Sequence, residues 1–418
     1  MYFFGPWPWN EESPSLLAGY LIAAQLFIVI GYLLAWRQVK KIQIVNSNLI
    51  KSQNIATGII FLKRSLLLTI LFLVPTSLSR TGNFLPDVMA GLNEPGTVYN
   101  FNFARLEEGN SFTMFEYLRM LVSPFLIGFY PLAVVYWSKL SVSVKFFCLL
   151  AILFNLSLYL ATGTNKGIAD FVITLPWLMF LGVSAGSLQR RIPLGALVAG
   201  MVLMFFALMV FFGTGQVQRE GGVAEKGVFN TGFGLITADT SNLISNLLSS
   251  DFQIIYESIT RYIGQGYYAL SMSFGIEHSS TLGFGHSIFL ARNADMIFGT
   301  NKFTTTSIPS LLEDQTGWGM FSLWHSIYPW FASDFGFIGT LFVLAIFAYL
   351  FALSWGKSLV TLSPQWVILV YLMFILFYYI PANNQIFQSG ETCFAVILLF
   401  ASLIFSKLFP SIVLQSNK

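Results

Sequence analysis

Apolar residues in this chain gather into blocks long enough to cross a lipid bilayer. A spanning helix needs about 20 mostly apolar residues. The stretches that qualify are 15–36, 60–79, 119–138, 142–161, 167–187, 193–213, 335–355, 365–381 and 391–409. The pattern predicts an all-α polytopic integral membrane protein of about nine transmembrane helices. Six spans fall within 1–213, a large helical loop occupies 214–334, and three spans fall within 335–418. A second extended loop, 80–118, interrupts the first bundle. Within the large loop, apolar residues recur near helical spacing from Ile236 to Ser258 (Leu243, Leu247, Ile254 and Ile255 among them), which predicts an amphipathic helix lying on the membrane or on other helices. The apolar stretch 263–276 has only 14 residues and reads as an interfacial or re-entrant helix rather than a span. A crossing there would require another before 335, and the best stretch for it, 282–298, contains Arg292 and Asp295.

Composition agrees with the pattern. Of 418 residues, 55% are apolar and 10% charged, and the mean hydropathy is +0.69. A soluble domain carries about 25% charged residues, so a water-soluble enzyme is excluded and no nucleic-acid partner is expected. The net charge of +3 matters less than the distribution. One alternate set of loops holds Arg37, Lys40, Lys41, Lys51, Lys63, Arg64, Lys139, Lys145, Arg190, Arg191, Lys357, Lys407 and Lys418, with no Asp or Glu. All 19 acidic residues lie on the other side or at its membrane edge. Basic loops stay in the cytoplasm, so the N-terminus and 214–334 are expected outside and the C-terminus inside. Cys148 and Cys393 both sit in apolar blocks, and no disulfide framework is expected. The opening MYFFGPWPWNEESPS has neither the basic region nor the cleavage site of a signal peptide.

The polar residues of the outer face supply the candidate chemistry. Arg80 ends the second span and Arg119 opens the third; each guanidinium could grip phosphate through its planar fork or anchor the helix at headgroup level. The turn Thr162-Gly-Thr-Asn-Lys-Gly167 leads into the fifth span, where helix N-terminal amides and Lys166 would favour an anion; the alternative is a tight loop with a snorkelling lysine. Arg219 follows the glycine-rich start of the large loop, which is either a ligand-approaching backbone or a plain linker. His278, His286 and His325 lack metal-ligand spacing, so no metal is expected. A histidine or carboxylate could instead take a proton from a sugar hydroxyl, and His286, His325 and Asp334 are the candidates. Trp318, Trp324 and Trp330 could stack on sugars, but an aromatic belt ahead of the seventh span is the favoured reading.

Three segments then carry a resemblance. Gln265-Gly-Tyr-Tyr-Ala-Leu-Ser271, Gly283-Phe-Gly-His-Ser287 and Trp324-His-Ser-Ile-Tyr-Pro-Trp-Phe-Ala-Ser-Asp334, together with the Thr162–Gly167 turn, resemble the Wzy-type O-antigen and capsule repeat-unit polymerases. So does the whole layout of many spans and one large outward loop before the last few. Arg219 to Gly234 follows the arginine-to-glycine motifs of that family only loosely. The resemblance implies a GT-C-like membrane glycosyltransferase in the bacterial inner membrane, joining undecaprenyl-pyrophosphate-linked oligosaccharides at the outer face. It implies no cofactor, contact with membrane lipids, and a chain-length regulator of the Wzz type as partner. The departing pyrophosphate would be met by cations. Arg219, Arg292 and Lys166 stand first, with Arg80, Arg119 and Arg261 behind them. The loop 214–334 would then provide half of a site completed by the rim of the bundle, its chemistry in 213–222 and 283–334 under a helical lid, 236–276. An O-antigen ligase shares this layout and remains open. A glycolipid flippase or transporter would be expected to show internal repeats and mid-membrane charges, which the chain lacks.

Overall fold

A computed structural model of the protein describes residues 2–9, 13–41, 47–107, 113–189, 193–219, 227–231, 234–239 and 241–408. Helices α1 (Pro14–Val39) and α2 (Ser47–Thr81) are followed by the short α3 (Val88–Asn93), α4 (Pro95–Glu107) and α5 (Thr113–Leu121). Next come α6 (Ser123–Val135), α7 (Val142–Ala161), α8 (Asn165–Ser184) and α9 (Leu194–Arg219). An antiparallel hairpin, β1 (Val228–Asn230) with β2 (Leu235–Thr237), pairs Phe229 with Ile236. It leads to α10 (Leu243–Leu247), α11 (Ser250–Ser273), α12 (Ile288–Phe298), α13 (Lys302–Thr305) and α14 (Ile308–Thr316). The chain ends with α15 (Ile327–Thr361), α16 (Pro364–Tyr378), α17 (Gln385–Gln388) and α18 (Gly390–Leu408).

The chain is an all-α multi-pass membrane protein. Among the described residues, α1, α2, α7, α8, α9 and α15 are long and apolar enough to span, and the α5–α6 pair makes a seventh if taken as one bent span. α16 and α18 are shorter apolar helices and fall where the last two spans were expected. The third expected span, 119–138, is not straight: it bends by 64° where Val122 leaves helical geometry and a proline enters the first turn of α6, since proline cannot continue the donor ladder of a preceding helix. Pro75, Pro131 and Pro176 stand inside α2, α6 and α8, which apolar bundles tolerate because neighbouring groups satisfy the freed carbonyls.

α16 lies at the centre, with Val367, Leu369, Val370, Leu372, Met373 and Leu376 fully buried. α1 lies against α15, with Gly31 at the Ala345 carbonyl and the Tyr20 hydroxyl donating to the Phe337 carbonyl at 2.9 Å. At one end of the bundle, side chains tie helix ends together: Asn54 donates to Thr361 O at 2.8 Å, Tyr136 to Leu362 O at 2.7 Å and Ser187 to Val135 O at 2.7 Å. Lys51 and Lys357 belong to this end.

The opposite end carries the cap. The N-terminal aromatics fold into it: Trp7 donates from Nε1 to the Glu257 carbonyl at 3.0 Å, and Trp9 stacks on Tyr268 at 5.3 Å. The N-terminus and the mid-chain region therefore share one face. α4 covers the α7–α8 turn, where the Asn102 amide donates to the Ala161 carbonyl at 3.3 Å.

Two expectations are corrected here, and that for 263–276, a helix rather than a span, gains its partners. Residues 236–258 are not one amphipathic helix; β2 ends at Thr237, α10 is a separate short helix, and Leu248 and Ser249 are extended before α11. Apolar spacing across that break reflects two elements, because the aromatic N-terminus supplies the hairpin with its core. The stretch 263–276 is the C-terminal half of α11 and its exit, held inside protein: Ala269 and Leu270 are fully buried, and the Pro381 carbonyl leaves Gly266 no room for a Cβ. Trp318 and Trp330 are buried, not arrayed in a surface belt, because Trp318 is needed to pack Phe229 and Tyr268.

Candidate functional site

Two polar clusters lie at the cap end, joined by one segment. The first surrounds Asp334. α15 is interrupted at Gly336, whose φ of 67° and ψ of 168° strongly favour glycine, so Asp334 sits at the end of a short helical piece just before the long one. Facing it is the loop Thr281–His286, where Leu282 and Gly283 both take positive φ (58° and 90°) and turn successive amides inward. The carboxylate, 1% exposed, accepts from Gly283 N at 2.8 Å, Gly285 N at 3.2 Å and His286 N at 2.8 Å. It also accepts from the Thr281 hydroxyl and from His286 Nδ1 at 2.7 Å. This backbone nest is occupied by a fixed carboxylate rather than left for a ligand.

The consequence falls on His286. Its Nδ1 faces the Asp334 carboxylate as the donor, so in the neutral ring Nε2 is the nitrogen left to accept. The ring stacks on Phe331 at 5.6 Å and 13° and meets Phe387 edge-on, and its side chain is 14% exposed. A histidine so held has the geometry of an oriented base.

The second cluster draws charges from four helices. Arg119 donates to Glu391 at 2.7 Å and to the Thr76 hydroxyl at 2.6 Å. Arg80 reaches Glu116 at 3.3 Å and stands 3.9 Å from Glu391. Lys166 pairs with Asp170 at 2.7 Å, one helical turn away on α8. Arg105 donates to the Ser79 carbonyl at 2.9 Å beside the same group. Arg119, Glu391 and Asp170 line a cavity of about 130 Å³ together with Asn155, Tyr130 and Tyr371, room enough for several waters. Its lining mixes charged and amide side chains with tyrosines.

Residues 383–391 connect the clusters. Asn384 donates to the His286 carbonyl at 2.8 Å, Ser287 donates its hydroxyl to the Phe387 carbonyl, and Ile288 N donates to Gln388 Oε1 at 3.3 Å. Three residues on, Glu391 opens α18 and meets Arg119 and Arg80.

Of the candidate residues, the structure thus brings Arg80, Arg119 and Lys166 together, and separately joins His286 to Asp334. Asp334 has all its acceptor capacity committed, so it orients rather than takes a proton. His325 belongs to neither cluster: it is 1% exposed, donates from Nε2 to the Gly319 carbonyl at 3.2 Å, and burial pushes its pKa down to about 4. It is a neutral core histidine. Arg261 is buried with its guanidinium 5.0 Å from the Phe229 ring, and Arg292 lies 4.6 Å over the Phe321 ring; neither is brought to the cavity. Arg219 closes α9 and its side chain, like residues 220–226 of the glycine-rich stretch, lies outside the described residues. Sequence reasoning missed Glu116, Glu391, Asp170 and Asn384. Two of these had a helical signal, since Asp170 is four residues from Lys166 and Glu116 three from Arg119.

Comparison with family models finds no match, comparison with curated proteins finds none, and comparison with solved structures finds none. The functional reading therefore rests on the site.

Proposed function

We propose that this chain is a Wzy-type oligosaccharide repeat-unit polymerase. It would span the bacterial inner membrane nine times in a GT-C-like arrangement, with the N-terminus and the cap in the periplasm and the C-terminus in the cytoplasm. The observation that carries the reading is the pairing of an oriented base with a cluster of cations at one end of a membrane bundle, joined by residues 383–391. Transfer of a glycan from a lipid diphosphate needs both parts.

In this mechanism the acceptor hydroxyl gives its proton to His286 Nε2 as its oxygen attacks the anomeric carbon of the donor. The bond from that carbon to the pyrophosphate oxygen breaks, and undecaprenyl pyrophosphate leaves with the electron pair. Arg80, Arg119 and Lys166 offset the charge that develops on it, and Asp334 stabilises the imidazolium. Donor and acceptor are both undecaprenyl-pyrophosphate-linked oligosaccharides, and a chain-length regulator is the protein partner.

The test feeds purified protein a lipid-linked repeat unit alone. A ladder of products is expected. Product formed only after a lipid-core acceptor is added would assign the chain to the ligases, and movement of glycolipid without a new glycosidic bond would assign it to the transporters.

A further inference from the structure

Arg80, Arg119 and Lys166 are each already paired with a carboxylate: Glu116, Glu391 and Asp170 in turn. An anion entering this cluster cannot simply add to it, because the guanidinium forks are already turned toward carboxylates.

Glu391 occupies the central position. One of its oxygens, Oε2, lies 2.7 Å from Arg119 and 3.9 Å from Arg80, so a single carboxylate sits between two arginines. It also lines the cavity and keeps 19% of its side chain exposed. Arg119 divides its fork: Nη1 donates to Thr76 and Nη2 to Glu391, and its buried Nε lies 3.7 Å from Glu116. Carboxylate and phosphate oxygens present the same acceptor geometry to a guanidinium fork. Buried charges stay paired in the absence of ligand because an unpaired one is costly.

We infer that Glu391 is an internal stand-in for a phosphate group: it holds Arg119 and Arg80 while the site is empty and is displaced when a diphosphate arrives. The inference rests on the reading of this cluster as the pyrophosphate site and adds its regulation. Glu391 is a competitor there, and it tunes how readily the site binds and releases its anion. A site without this competitor would hold the departing pyrophosphate too long.

The test titrates inorganic pyrophosphate into the full-length protein in detergent, with binding read by calorimetry. Glu391→Gln keeps the size and an acceptor but removes the charge, and should bind inorganic pyrophosphate about tenfold tighter than the parent, the scale of one charge-assisted hydrogen bond. Arg119→Gln should abolish binding in both backgrounds. Equal or weaker binding by Glu391→Gln, with Arg119→Gln still abolishing it, overturns the stand-in role and leaves the anion site in place. Binding indifferent to Arg119→Gln, or none in any variant, overturns the anion site and the inference with it. If Glu391→Gln does not fold, Glu391→Asp, one methylene short of Arg119, should shift affinity in the same direction, and its failure to do so overturns the inference equally.

Discussion

Asp334 and His286 divide the work of one dyad unequally. The carboxylate gathers five donors from the Thr281–His286 loop and its threonine, so its replacement disturbs both the loop and the ring it orients. His286→Ala should lower the transfer rate by roughly 100-fold or more, the range of a lost general base, while the thermal midpoint falls less than it does for Asp334→Ala. Asp334→Ala should lower the rate and the thermal midpoint together, because buried amides would lose their acceptor. Rate of ladder formation and thermal unfolding in detergent separate the two. His325 carries a different expectation. Its pKa in the fold is about 4, against 6.5 for an open imidazole. Between those values the unfolded chain binds a proton that the native chain refuses, so the contribution to stability is whole above pH 6.5. It is lost as pH falls toward 4. His325→Gln should flatten that part of the stability profile, seen as thermal midpoints measured from pH 7.5 to 4; an unchanged slope would mean His325 is not held neutral in the native protein.

At the scale of elements, the break in α15 matters most. Gly336 lets the short piece ending near Asp334 and the long apolar helix take different directions, and a side chain there is strained by about 1–3 kcal/mol. Gly336→Ala should therefore destabilise the protein and move Asp334, reducing transfer more than the thermal midpoint alone would suggest. The bend between α5 and α6 has a parallel role: it places Glu116 and Arg119 beside Arg80 at the end of α2, where a straight span would separate them. Both features are breaks in otherwise regular helices, and both deliver charged side chains to the cap end.

For the whole molecule, the folding of the N-terminal aromatics onto the hairpin and α11 fixes the N-terminus and the mid-chain cap on one face. Which face is outward can be read by labelling. A cysteine at exposed Ser322, in the cap, should react with a membrane-impermeant maleimide added to cells with a permeabilised outer membrane. A cysteine at exposed Ser143, in the first turn of α7, should react only after lysis. The reverse pattern would invert the orientation and remove the periplasmic reading of the site.

Membrane character, the helical class and the placement of the long apolar helices were legible in the sequence alone, because a bilayer demands apolar length and the chain supplies it in uninterrupted blocks. Arg80, Arg119 and Lys166 were legible as cations at helix ends for the same reason, since helix ends follow from block boundaries. What tertiary structure decided is which polar groups meet. Asp334 and His286 are 48 residues apart and Arg119 and Glu391 are 272 apart, separations over which no local periodicity carries information. The hairpin and the burial of Trp318 were hidden likewise: each depends on partners from a distant segment, the aromatic N-terminus and α11. Local spacing sets helices and their ends; only packing decides which carboxylate answers which cation.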